Sequence, residues 1–370
     1  MSFSPWRHWP AIFWKRRPVH LTVFVTRRCN ARCPFCFYLS RPRTSDPAPE
    51  LSATELEQVA RSAGPLLWLA LSGGEIFLRP DLPEIVGHFY RHCRPAIILL
   101  PTNGLDPEGI PAQVEAILAA CPESTVVVKL SLDGPAELHD RLRGRPGALA
   151  RVLATGQALA PLLDRYPHFE LGVNTVFCRD NQEELAPVFD LVRGLPWVRT
   201  HTVSLVRGDT ARPELKEVDL DRYQATVEWL EAEARQGEAR RYRFGGAGLK
   251  AAQDLLQRRL ILATARQQQR LIPCYAGRLN LVLTETGMLF PCEAFHLPMG
   301  NIRETGGDLR PLLAAPRARR VLAAIDHGGC HCTHECYFLT NILFNPRLYP
   351  QLLKEYLATG GWGRRREGQG

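Results

Sequence analysis

From residue 20 to about 210 the chain alternates short apolar runs with longer segments whose apolar residues recur at helical spacing. The runs Leu21–Val25, Leu66–Leu71, Ile97–Leu100, Thr125–Leu132, Phe169–Phe177 and Arg199–Val206 predict six strands. Polar residues between them announce helix starts. Ser52-Ala-Thr-Glu55 spells a capping box, in which the serine and glutamate side chains each satisfy a backbone N–H of the first turn. Asp81-Leu-Pro-Glu84 and Asn181-Gln-Glu-Glu184 predict caps by the same logic, and Asp106-Pro107 a cap followed by proline at the first helical position. Six βα units of roughly 30 residues or more imply parallel strands, because parallel neighbours need a crossover connection. The expected class is α/β with a parallel sheet; periodicity alone does not say whether that sheet curls.

Beyond residue 210 the pattern changes. Residues 211–272 predict a charged helical bridge, with Asp219 to Arg270 interrupted at Phe244-Gly-Gly-Ala-Gly248. Residues 273–345 carry Gly-rich turns and short runs such as Leu279–Thr284, which predict a small cysteine-rich unit. Residues 346–370 predict a C-terminal helix and a disordered tail. Residues 1–19 stand apart, because Trp6 to Arg17 sets four large aromatics beside five basic residues, counting His8. Such a segment either latches the open edge of the sheet or touches a membrane surface, where a lipid-linked substrate would be met.

Composition narrows the class. With 45% hydrophobic residues in 370, the chain can bury a sizeable core, and no run approaches the ~18 apolar residues of a membrane span. Nothing at the N-terminus resembles a secretory signal, so a cytoplasmic location is expected. Of eleven cysteines, eight fall in two tight groups, which suits reduced thiols holding metal better than disulfides. Cys93, Cys121 and Cys178 are expected as small core residues. The net charge of +8, nearly all of it arginine excess, comes without a long basic run interleaved with aromatics in the folded part, so no nucleic acid is expected.

The first cysteine group follows the first strand, in Thr26-Arg-Arg-Cys-Asn-Ala-Arg-Cys-Pro-Phe-Cys-Phe37. Cys29, Cys33 and Cys36 can wrap one compact cluster from a single loop. A tetrahedral zinc or a complete four-cysteine cluster would need a fourth ligand, which the loop lacks. A cube held by three thiolates keeps one iron open for a small molecule. This loop, Leu71-Ser-Gly-Gly-Glu-Ile76 at the end of the second strand and Lys129-Leu-Ser-Leu-Asp-Gly134 at the end of the fourth together resemble the radical S-adenosylmethionine (radical SAM) family, over about residues 20–340.

The resemblance implies a partial TIM-like (βα)6 barrel, a [4Fe–4S] cluster on Cys29, Cys33 and Cys36, and S-adenosylmethionine on its open iron. It implies that Gly73 and Gly74 let backbone approach the methionine end of that cofactor, whose ammonium Glu75 accepts. Ser131, Asp133 and Asn174 become cofactor candidates, with Arg143 as a bidentate partner for a carboxylate and Phe35 packing near adenine. Two of these have plainer readings: Asp133 as the cap of the next helix and Phe35 as a buried aromatic. Thr102-Asn103-Gly104 reads as a turn.

The second group comprises Cys274, Cys292, Cys330, Cys332 and Cys336, with four residues between Gly287 and Cys292. It resembles the SPASM or twitch extension of the same family. That implies one auxiliary [4Fe–4S] cluster on Cys274, Cys292, Cys336 and either Cys332 or Cys330, with His331 or His334 as further candidates. Structural zinc is the other reading of these spacings. The expected function is hydrogen abstraction by a 5′-deoxyadenosyl radical from a peptide, sugar or lipid-linked metabolite, with a flavodoxin or ferredoxin as electron donor. A non-enzymatic electron carrier or redox sensor is the rival; it predicts clusters without cofactor cleavage.

Overall fold

The computed structural model describes residues 3–40, 48–236 and 244–359. Its strands are β1 (His20–Thr26), β2 (Trp68–Gly73), β3 (Ile97–Thr102), β4 (Thr125–Ser131), β5 (Phe169–Phe177), β6 (Thr200–Leu205), β7 (Asn280–Leu283), β8 (Met288–Phe290) and β9 (Gly300–Asn301). Its helices are α1 (Ala53–Ala63), α2 (Leu82–Cys93), α3 (Gly109–Ala120), α4 (Ala136–Arg143), α5 (Ala148–Leu159), α6 (Leu162–Arg165), α7 (Leu185–Arg193), α8 (Leu220–Gln236), α9 (Ala247–Gln267), α10 (Leu309–Ala314), α11 (Pro316–Asp326), α12 (Glu335–Leu343) and α13 (Tyr349–Ala358). All six expected strands are present. The second begins two residues late, because Leu66 and Leu67 already spend their N–H groups on the Cys93 and Val19 carbonyls.

The sheet order is β6-β5-β4-β3-β2-β1-β7-β8-β9. Strands β1 to β6 run parallel, β7 adds to β1 also in parallel, and β8 and β9 turn back antiparallel. The cysteine-rich region therefore continues the main sheet. Alternation along the strands divides the two faces. Leu21, Val23, Leu69, Ile98, Val126 and Val128 pack outward against Leu56, Val59, Ile85, Val86, Val114 and Ile117 of α1, α2 and α3. Thr22, Ala70, Leu99, Val127, Lys129, Ser131, Asn174 and Thr202 face a cavity of about 730 Å³ on the other side. Residues of α8, α9 and α12, among them Trp229, Lys250, Arg258 and Leu339, wall it in.

Only some caps are as expected. Ser52 and Glu55 form the full capping box. Asp81 precedes α2 but makes no side-chain cap, since Arg79 takes its carboxylate at 2.6 and 2.8 Å. Asp106 accepts from Gly109 N–H at 3.0 Å, yet Pro107 stays outside α3. Asn181 does not cap α7 at all; it is fully buried, accepting from Cys178 N–H and donating to the Asp133 and Val176 carbonyls. The bridge is helical as expected, with Gly246 at φ +93° just before α9. The expected tail, 360–370, lies outside the described residues.

The N-terminal segment forms a 3-10 helix, Pro5–Ile12. Ala11 and Ile12 pack against Val19, Leu67, Ala96 and Leu279 at the starts of the strands, and Arg7 donates to the Leu66 carbonyl at 2.9 Å. The segment therefore covers the starts of the central strands and not an open edge of the sheet, which ends at β6 and β9, and it leaves Trp6, Trp9, Phe13 and Trp14 57–66% exposed. Among the described residues no helix is long and apolar enough to cross a membrane.

Candidate active site

The first cysteine loop leaves β1 at Thr26 and is pinned at both ends. Glu50 accepts from the Thr26 hydroxyl (2.7 Å) and Arg27 N–H (2.8 Å), and Arg32 N–H bonds the Arg143 carbonyl at 2.9 Å. Backbone N–H groups of Ala31 and Leu39 donate to the sulfurs of Cys29 (3.4 Å) and Cys36 (3.3 Å). Cys29, Cys33 and Cys36 all line the cavity at the C-terminal end of the strands. Burial raises the Cys33 thiol to about 11 and the Cys29 thiol in the same direction, so both wait for positive charge before they ionise. An iron–sulfur cluster supplies that charge, and the donor set fits one.

Gly73 and Gly74 hold the loop rather than make room for a cofactor alone. A Cβ on Gly73 would lie 2.2 Å from the Thr26 carbonyl oxygen, and one on Gly74 2.0 Å from that of Arg28. In this close approach Gly74 and Glu75 donate their N–H groups to Thr26 and Arg28, both at 2.8 Å. Both glycines also line the cavity.

Glu75 is buried at the cavity wall. Its carboxylate accepts from the Thr102 hydroxyl (2.8 Å), Asn103 N–H (2.7 Å) and Phe77 N–H (3.3 Å). Burial outweighs these donors and the charge of Arg143 and lifts its pKa from 4.5 to about 7; a ligand's ammonium beside it would favour the charged form. A raised carboxylate favours the neutral form in the folded chain. Its stabilisation is full below 4.5 and is lost as pH rises through about 7, by about 3 kcal/mol. The urea midpoint of the cofactor-free protein should therefore fall between pH 5 and 8, and fall less in Glu75→Gln; parallel curves would remove this account. Thr102 and Asn103, expected as a turn, belong to the site: Asn103 also donates to Asn30 Oδ1 (2.6 Å) and faces Cys29 Sγ (3.8 Å).

Asp133 departs from both of its expected roles. It is fully buried, does not line the cavity and does not cap α4, which starts after Pro135. Beyond Ser131 the strand ends and the chain turns, so alternation no longer aims Asp133 inward. Its carboxylate accepts from Val176 N–H at 2.8 Å and forms an ion pair with Arg143. Arg143 in turn faces Cys33 Sγ (3.6 Å) and lies 5.3 Å over the Phe35 ring. Arg143 also lines the cavity, and its Nε is buried without a hydrogen-bond partner. Phe35 packs with Leu138, Leu142 and Val206 while touching the cavity. Ser131 and Asn174 both line the cavity, and Asn174 accepts from Ser204 at 3.0 Å.

The second cysteine group lies beyond β1, across the cavity wall. Cys274 and Cys292 pack against the main core, and Arg270 donates to Cys330 Sγ at 3.2 Å. Each of Cys274, Cys292 and Cys332 has its ionisation opposed by other sulfurs of the group, which sets Cys274, Cys292, Cys330 and Cys332 together. Cys336, expected in every ligand set, lines the main cavity, where burial and then Glu293 raise its thiol and Arg207 lowers it. The cause is local. His334 caps α12 and pairs with Glu293, which turns the first residues of the helix toward Arg207. Among the described residues no three Cys, His, Asp or Glu side chains are gathered as around a single ion. Arg207, over Phe37 at 5.3 Å and 3.1 Å from His334, links the two groups and was not anticipated.

Residues 23–192 match the family model for the radical SAM superfamily. The chain is 31% identical over 296 residues to an AdoMet-dependent heme synthase of Methanosarcina barkeri, covering 76% of this chain and 78% of that protein. It is 29% identical over 344 residues to a PqqA peptide cyclase of Methylocella silvestris, covering 85% and 83%. Among solved structures it resembles Streptococcus suis SuiB bound to S-adenosylmethionine, with a TM-score of 0.56 at 18% identity over 81% of this chain and 68% of that one.

Proposed function

Since the chain belongs to the radical SAM superfamily, we propose that it abstracts a hydrogen atom from a peptide bound in the 730 Å³ cavity. Cys29, Cys33 and Cys36 would hold a [4Fe–4S] cluster whose open iron would take S-adenosylmethionine; once reduced by an external electron donor, that cluster would supply the electron for reductive cleavage of the sulfonium. Around it, Glu75 receives the ammonium of the methionine end, and Ser131 and Asn174 offer polar groups along the same wall. Arg143, fixed by Asp133, holds Cys33 and Phe35 in place. The observation that carries this reading is the convergence of three thiols free of disulfides and the buried Glu75 on one cavity. The peptide follows from the peptide cyclase among the relatives; the heme synthase, with the higher identity, supports a tetrapyrrole as the second reading. Reduced, reconstituted protein should convert S-adenosylmethionine to 5′-deoxyadenosine. Added porphyrin or precursor peptide that accelerates this turnover identifies the substrate class.

An auxiliary cluster on Cys274, Cys292, Cys330 and Cys332 fits the grouping of those sulfurs. A Cys29/Cys33/Cys36 triple variant should keep iron and a visible iron–sulfur absorbance, and Cys336→Ser added to it should change neither. Zinc in place of iron there would overturn the assignment. Lys15, Arg16, Arg270 and Arg278 line a cleft beside Cys274, a basic rim that suits an acidic flavodoxin or ferredoxin. The exposed Trp6, Trp9 and Trp14, with Arg16 and Arg17 beside them, suit contact with an anionic membrane surface. Full-length protein should sediment with anionic vesicles, and a chain starting near Val19 should not; equal sedimentation removes the proposal.

A further inference from the structure

At the strand starts, the end of the cavity away from the first cysteine loop, stand two rings that neither cysteine group uses. His20 opens β1 and Trp68 opens β2, and the two are partners in the parallel register. Both side chains line the cavity, with ring centroids 6.2 Å apart and planes inclined by 29°. His20 is 2% exposed. Its Nε2 lies 3.4 Å from the hydroxyl of Thr22, the next inward residue of β1. Its Nδ1 and the indole Nε1 of Trp68 are both buried, and neither has a hydrogen-bond partner among the described residues. Asn280, beside His20 on β7, donates to the Thr340 hydroxyl at 2.7 Å instead. Folded chains rarely leave buried polar atoms so, and two of them on adjacent strands of one cavity wall call for a polar ligand.

The surrounding charges narrow its chemistry. Burial brings the His20 imidazole down to about 4, so the ring is neutral and offers one N–H and one lone pair. Lys250 stands 6.0 Å from the centre of the Trp68 ring, in an ion pair with Asp254. An acid placed here would meet the Asp254 carboxylate along with the ammonium. An uncharged amide avoids that conflict. Its oxygen accepts from the indole N–H, and whichever tautomer His20 holds, the amide either donates to Nδ1 or accepts from it. Thr26, where the first cysteine loop leaves β1, closes the strand that His20 opens. About 20 Å of strand lies between them, a span that an extended peptide covers in about six residues.

We propose that His20 and Trp68 form a subsite for an uncharged amide of a peptide substrate, at the opposite end of the cavity from the first cysteine loop. A peptide held there lies lengthwise along the inner faces of the strands, and its recognition is remote from the bond that reacts. The inference rests on the cavity being the substrate site of the proposed reaction.

The chain has seven tryptophans, and nitrogen-15 in their indoles reports on each N–H of the full, cluster-loaded protein. The Trp68 signal is the one lost in Trp68→Phe. The probe is N-methylacetamide, with acetate at the same concentration as the charged control. N-methylacetamide should shift the Trp68 signal saturably and leave the exposed Trp6, Trp9 and Trp14 in place; acetate should move none of them. His20→Leu should weaken amide binding roughly tenfold, the size of one hydrogen bond, whereas His20→Asn, which keeps an amide atom near the place of Nδ1, should stay within about threefold of the wild type. No shift, as expected where ordered water alone fills the place, would overturn the proposal. So would acetate binding as tightly as the amide, joint movement of all the indoles, or undiminished affinity in His20→Leu. The acetate comparison is made on the wild-type chain, so a His20→Leu protein that does not fold leaves the proposal open to refutation. Formation of 5′-deoxyadenosine by the same preparations is scored independently. Amide binding without cofactor cleavage keeps the subsite and removes the radical reading; cleavage without amide binding does the reverse.

Discussion

Cys33→Ala abolishes 5′-deoxyadenosine formation by the reconstituted, reduced protein, and its iron content falls by one cluster. Cys33 has the largest expected effect because it is the sulfur that the rest of the site is arranged around. Arg143 faces it at 3.6 Å, and the Cys36 N–H bonds its carbonyl at 3.1 Å. Removing the thiol leaves Cys29 and Cys36 as an incomplete set, which cannot hold a cube. Two readouts are needed, since loss of turnover alone would also follow from misfolding. The circular dichroism of the variant should match the wild type, because Cys33 lies in a loop and belongs to no strand or helix. Undiminished 5′-deoxyadenosine from a variant lacking this sulfur would end the catalytic reading and leave a redox or structural protein.

The second large effect is on stability. Asp133→Ala should lower the free energy of unfolding by about 3–5 kcal/mol, the cost of leaving a buried charge without its partner. Arg143, only 6% exposed, would then retain Cys33 Sγ and the Phe35 ring as its neighbours, and the Val176 N–H would lose its acceptor. The double variant Asp133→Ala, Arg143→Met should recover much of the loss, since removing both charges removes the desolvation burden as well. Urea denaturation of the cluster-free forms gives the comparison. A double variant no better than the single one would mean that the carboxylate acts through Val176 rather than through the arginine.

Much of this architecture was legible because its signals are local. Alternation and apolar runs marked all six strands, and the capping box at Ser52 marked the start of α1. Where expectation failed, another group held the side chain that the cap would have used. Asp81 was taken by Arg79, two residues away, and Asn181 by Cys178 N–H and the Asp133 and Val176 carbonyls; Asp133 went to Arg143. Spacing alone does not tell which of the groups in reach such a side chain will choose. His20 and Trp68 passed unnoticed for a related reason. Each reads as one more residue of a strand, and only the pairing of β1 with β2 sets the two rings side by side. Thr102 and Asn103 read as a turn until the fold brought Glu75 against them.

The pairing of β7 with β1 has a practical consequence for dissecting this molecule. A chain ended near residue 272 would bare the whole flank of the strand that launches the first cysteine loop, offering unsatisfied N–H and C=O groups to any passing copy. Such a fragment would aggregate rather than behave as a free-standing half. Swapped or split versions should therefore keep the hairpin after residue 280 with the N-terminal strands, and exchange material further along the chain.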